Sequence, residues 1–233
     1  MTRKETPAPR TMVVDLLKGK SVLKQNIFGI TRETFAMLKE VVQEMAADLS
    51  AVMAKADERV TVQYRDKGEL ACELKVAGDI IIFHMHTNVF RLEQGHSLWK
   101  NSYLEEDEMR GYFGIINMYN FLSDSFTYNR GNDLGYLVSR LFVNKDRHYF
   151  LQGKRQLGFL YNDLPGAALG REELKALLWS VIIYVIDFDL LTPPYDAVNQ
   201  VTVSEMNELN ANLQLSTGKR LGFRFQADTD DIH

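Results

Sequence analysis

Two histidines set one residue apart, His84 and His86, form the one pair in this chain whose spacing suits a shared metal ion. They fall in a run from Ile80 to Leu92 in which apolar and polar residues alternate. Side chains two apart on a strand point to one face, where two neutral imidazoles can ligate one ion. The same alternation turns Ile81, Phe83 and Met85 inward and leaves the histidines with Ile80 and Ile82 on the other face. Paired polar side chains on a half-exposed sheet face are the expected role, with no metal and no cofactor. A second candidate is electrostatic. Between residues 130 and 155, Arg130, Arg140, Lys145, Arg147, Lys154 and Arg155 face only Asp133 and Asp146, a net +4 in a chain of net -4, so the remainder carries -8. Tyr136, Phe142, Tyr149 and Phe150 are interleaved. A basic hairpin with aromatics can bind phosphates or single-stranded nucleic acid, and Arg140, Lys145, Arg147 and Lys154 would form that surface. Strand alternation offers a plainer outcome, with aromatics turned inward and cations solvating the outer face, and that is the expectation.

Other reactive groups form no complete set. Gly78, five residues, then His84-x-His86 resembles the opening of the cupin metal motif, but Phe90 and Arg91 stand where its glutamate belongs and no second motif follows. Asp187-Phe188-Asp189 resembles the strand-then-Asp-x-Asp arrangement of nucleotide-sugar transferases, yet helical spacing from Arg171 onward puts it at a helix end. Glu105-Glu106-Asp107-Glu108 could attract a hard cation, but adjacency scatters the carboxylates around a short segment, and a solvated run is expected. Cys72, the one cysteine, reads as a small buried hydrophobe. Phosphate loops, nucleophile triads and zinc clusters are absent as sequence patterns.

The elements that would position these residues are legible from periodicity. Three alternating runs separated by glycine turns fill Arg59 to Leu92, the pattern of an antiparallel meander with one buried face. Before them a helix is expected from Thr31, as N-cap with Glu33 in its first turn. Its apolar seam is Phe35, Leu38, Val42, Met45, Leu49, Val52 and Ala56, which suits a helix laid across a sheet or, as the alternative, a dimeric coiled coil. After a polar connection from Glu93 to Arg110, strand character returns at Tyr112 to Leu122, Tyr136 to Val143 and His148 to Gln152, the last two flanking a turn at 144–147. Helical spacing resumes from Arg171 to Phe188, then Pro193-Pro194, then a last helix opened by Thr202-Val203-Ser204-Glu205 and stopped by Gly218.

These elements predict an α+β fold, an antiparallel sheet of about five to seven strands covered by long N- and C-terminal helices. The layout resembles PAS, GAF and profilin-like folds, without a matching motif. Residues 1–30 are expected to be a leader and extension, 31–218 a single domain and 219–233 a tail. With 45% hydrophobic and 25% charged residues over 233 positions, the chain can bury a full core. A pI near 5.8 argues against a general nucleic-acid binder. No signal peptide or membrane anchor is expected, so a cytoplasmic location fits. The functional expectation is a regulatory or protein-interaction module without catalysis, partnered by another protein or by itself. The alternative is a small-molecule binder or enzyme with its site between sheet and helices.

Overall fold

A computed structural model describes residues 8–154, 156–166, 168–188, 194–204 and 206. Its first element is a helical rod. Helix α1 (Pro9–Leu16) passes through a π-helical turn at Leu17–Ser21 into α2 (Val22–Ala56). The helix therefore does not begin at Thr31. Pro9 opens it, where a missing N–H costs nothing. The Thr31 hydroxyl, expected as a cap, donates to the Ile27 carbonyl at 2.7 Å inside the helix. A threonine that satisfies itself on the preceding turn is tolerated mid-helix.

The sheet follows: β1 (Val62–Asp66), β2 (Ala71–Val76), β3 (Asp79–Met85), β4 (Phe90–Arg91), β5 (Tyr112–Leu122), β6 (Tyr136–Asn144) and β7 (Tyr149–Gly153). Their order is β1-β2-β3-β5-β6-β7, with β4 also paired to β5, and each pairing is antiparallel. This is the expected α+β architecture. Gly68 supplies the left-handed φ of 99° that the β1–β2 turn requires. Its N–H is held by Asp66 Oδ1 at 2.8 Å. Short helices α3 (Ser102–Glu106), α4 (Ser123–Thr127) and α5 (Gln156–Leu160) sit in the connections, before α6 (Arg171–Ile186) and α7 (Tyr195–Val198).

Inner-face residues such as Cys72, Leu74, Ile81, Phe83, Ile116 and Leu141 meet Phe35, Leu38, Val42 and Met45 of α2 and Leu174, Leu178 and Val181 of α6. The seam thus packs within the chain. Its far end, Val52 and Ala56, runs past the sheet into solvent. At Gly114 a Cβ would stand 1.9 Å from Thr31 Oγ1, so the strand glycine makes room for the helix.

The outer face is not simply solvated. Phe113, Ile115, Phe142 and Phe150 form a second core with Leu92, Leu104 and Leu164, partly covered by Trp99 and Tyr103. Phe142 and Phe150 stack with ring centroids 4.4 Å apart, and the Phe113 ring meets both edge-on. The expectation that Phe142 and Phe150 turn inward is corrected here. They share the outer face with Arg140, because the 92–111 connection folds over it and provides a dry place for them. Thr202 accepts a helical bond from the Met206 N–H at 2.9 Å, which agrees with a helix opening there. The rest of that helix to Gly218, together with Arg155, Asp189, Pro193, residues 1–7 and the acidic tail, lies outside the described residues.

Phe35 is 1% exposed and Val52 56% exposed on the same helix. Phe35→Ala should lose about 3–5 kcal/mol of stability in chemical denaturation. Val52→Ala should stay within about 0.5 kcal/mol of the unaltered chain.

Candidate functional site

The strand registry decides which candidate residues meet. His84 of β3 lies opposite Asn117 of β5, Asn117 opposite Arg140 of β6, and Arg140 opposite Gln152 of β7. Side chains directly across neighbouring strands share a face, so these four form one polar row across the outer face. His84 is exposed and Arg140 half-buried. The guanidinium of Arg140 donates to Gln152 Oε1 and lies 5.5 Å from the Phe142 ring centroid. His84 and Arg140, read separately in the sequence, are therefore neighbours but one. His86 is committed elsewhere. It sits past the end of β3, its Nδ1 accepts the Asn88 N–H at 3.0 Å, and its ring meets Phe90 edge-on. Among the described residues, no three histidine, cysteine or carboxylate side chains are grouped to hold a metal.

The remaining cations of the basic segment point to different places. Lys145 bonds Asp107 at 3.0 Å and Asp146 at 3.3 Å, which pins the β6–β7 turn to the acidic connection. Arg147 pairs with Glu33 of α2. Arg130 pairs with Asp133. Lys154 is exposed near the end of β7. Arg140, Lys145, Arg147 and Lys154 are thus not gathered on one surface. The acidic run is also put to structural use: Glu106 meets Arg110 at 3.0 Å, Glu108 meets Arg91 at 3.1 Å, and Asp107 meets Lys145.

Among these carboxylates, Asp107 and Asp146 are pushed down. Asp107 is held below the usual carboxylate range first by the Met109 N–H and then by Lys145. Burial opposes ionisation of Asp146, but bonds from Lys145, Tyr103 and Arg110 outweigh it and depress its pKa. Glu73 is a carboxylate only 3% exposed, paired with Arg65 at 3.3 Å and Lys67 at 3.2 Å. Cys72 is fully buried, and burial pushes its thiol up to about 12. Asp187 ends α6 exposed, as a helix terminus reaching solvent.

The sequence reading missed a surface at the N-terminus. From α1 through the π turn no side chain is buried, and the first buried residue of the rod is Ile27. Met12, Val13, Leu16 and Leu17 are 46–58% exposed. Residues 9–24 carry Arg10, Lys18, Lys20 and Lys24 against Asp15, a net +3 that leaves -7 on the rest of the chain. The signal was present in the pairs Met12-Val13 and Leu16-Leu17 at helical spacing behind Pro9. Among the described residues no helix is long and apolar enough to cross a membrane. No protein-family model, curated protein or solved structure matches this chain.

Two measurements follow from the burial and the charges. Cys72 should resist thiol reagents in the native protein and react only as fast as the chain unfolds, because the thiolate is the reactive form. The depressed pKa values of Asp107 and Asp146 contribute stability that is complete above the ordinary carboxylate pKa of about 4. That contribution is lost as pH falls through the lower folded values. Asp146→Asn should therefore flatten the acid limb of a stability-versus-pH curve.

Proposed function

We propose that this chain is a non-catalytic interaction module that docks its N-terminal helix into an apolar groove with an acidic rim on a partner protein. The carrying observation is the row of exposed apolar side chains, Met12, Val13, Leu16 and Leu17, on a helix that buries nothing of its own. An amphipathic helix seated in a groove is a recurrent mode of recognition, read out by side chains at helical spacing. The four cations of residues 9–24 favour an acidic rim, and they disfavour pairing this segment with its own copy, where like charges would meet. A regulatory role and a cytoplasmic location belong to the same proposal.

The alternative reading, a ligand site between sheet and helices, finds less support. Phe35, Leu38, Ile81, Phe83, Leu174 and Val181 fill that layer and are at most 1% exposed. The nucleic-acid reading is weakened by the separate engagements of Lys145 and Arg147.

The test places a photo-crosslinking amino acid at Val13 in cells and purifies any captured protein. The proposal expects that purified protein to bind the wild-type chain and to lose affinity with rising salt. It also expects binding to be lost with Leu16→Glu and weakened by Arg10→Glu with Lys18→Glu. Three results would overturn it: a dimer mass in light scattering that Leu16→Glu reduces to monomer, binding confined to anionic lipid vesicles, or no specific capture.

A further inference from the structure

The outer face of the sheet carries a second feature, independent of the docking helix. Asn117 is 8% exposed, yet among the described residues its side-chain amide has no hydrogen-bond partner. Its amide atoms are not among the fully enclosed polar atoms left without a partner, so they keep contact with solvent and are open to a ligand on this face. On either side stand His84 and Arg140, also without a carboxylate partner among the described residues. Strand spacing puts their backbones about 10 Å apart, with the Asn117 amide between them.

The adjoining row has opposite character. Ile82 lies across from Tyr119, and Tyr119 across from Leu137. A register shift between Met118 and Tyr119 produces the last pairing. It turns Val138 into the inner core and leaves Leu137 39% exposed beside Tyr119. Bulges commonly re-aim side chains next to binding sites. The covered side chains of Ile115, Phe142 and Phe150 bound the polar row on its other side. The nearest acid in the apolar row is Glu73, opposite Ile82, and Arg65 and Lys67 already neutralise it.

We infer that these two adjoining rows bind a small amphipathic carboxylate. The carboxylate oxygens accept from the Arg140 guanidinium and the Asn117 amide, with His84 as a third polar contact, and the aliphatic body lies along Ile82, Tyr119 and Leu137. Arg140 suits this role because Phe142 and Gln152 fix its planar fork in advance, so less freedom is lost on binding.

Hexanoate, hexanol and inorganic phosphate serve as probes, read by nitrogen–proton NMR at the Asn117 side-chain amide and Arg140 Nε. Hexanoate should give saturable shifts at both groups, and hexanol and phosphate should give far weaker ones. Arg140→Met, which keeps an apolar stem over Phe142, should abolish saturation while the spectrum stays folded. Asn117→Leu should weaken hexanoate binding while the spectrum stays folded. Hexanol shifts as large as those of hexanoate would leave an apolar patch with no anion site and overturn the inference. Phosphate binding at least as strong, unsaturable hexanoate shifts, or undiminished binding in Arg140→Met would each overturn it as well. These outcomes are read without any partner protein, so they stand apart from the test of helix docking.

Discussion

The contact on which this structure turns is the approach of α2 to β5 at Thr31 and Gly114. A glycine on a central strand lets the helix backbone come nearer than any side chain would allow, since even a methyl group would collide with the Thr31 hydroxyl and methyl. The threonine fits there because its hydroxyl is already spent on Ile27 and asks nothing of the sheet. Closeness at this point brings Phe35, Leu38 and Val42 into the inner face one turn after another. Close packing of that kind transmits small displacements across a core. A shift of the helix at Gly114 would therefore be felt at α6, which shares the same apolar layer.

The sheet was legible because its signals are local. Period-two alternation and glycine turns give strands whose ends fall within a residue or two of the observed β1, β2, β5, β6 and β7, whereas the run from Ile80 to Leu92 is broken: β3 ends at Met85, and Phe90–Arg91 form the separate β4. Thr31 misled because the same hydroxyl can cap a helix or bond backward within one, and only the preceding turn decides which. Phe142 and Phe150 misled for another reason. Alternation separates two faces but does not tell which of them a later segment will cover. Asn117 gave no signal at all, since its meaning depends on His84 and Arg140, which pairings remote in sequence set beside it.

The 92–111 connection shows how a segment can look purely solvated and still be structural. Its carboxylates hold cations from β4 and the β6–β7 turn, while Leu104 and Trp99 cover aromatics beneath. Surface ion pairs contribute little singly, so the apolar cover is what keeps the segment in place. The charges fix where it lands. The effect is a sheet with one fully dry face and one half-covered face, and the boundary between them is where the polar row lies.

The π turn at Leu17–Ser21 has a consequence for orientation. It separates the exposed helix from the packed one within a single rod, and a π turn accommodates one residue more than an α turn would. One added residue rotates everything upstream by about 100° around the helix axis, since a full turn takes about 3.6 residues. The apolar stripe of α1 is therefore out of phase with the stripe that grips the sheet. Whatever seats itself on α1 would arrive at an azimuth chosen by this single insertion, with the rod acting as a keyed shaft between the two bodies.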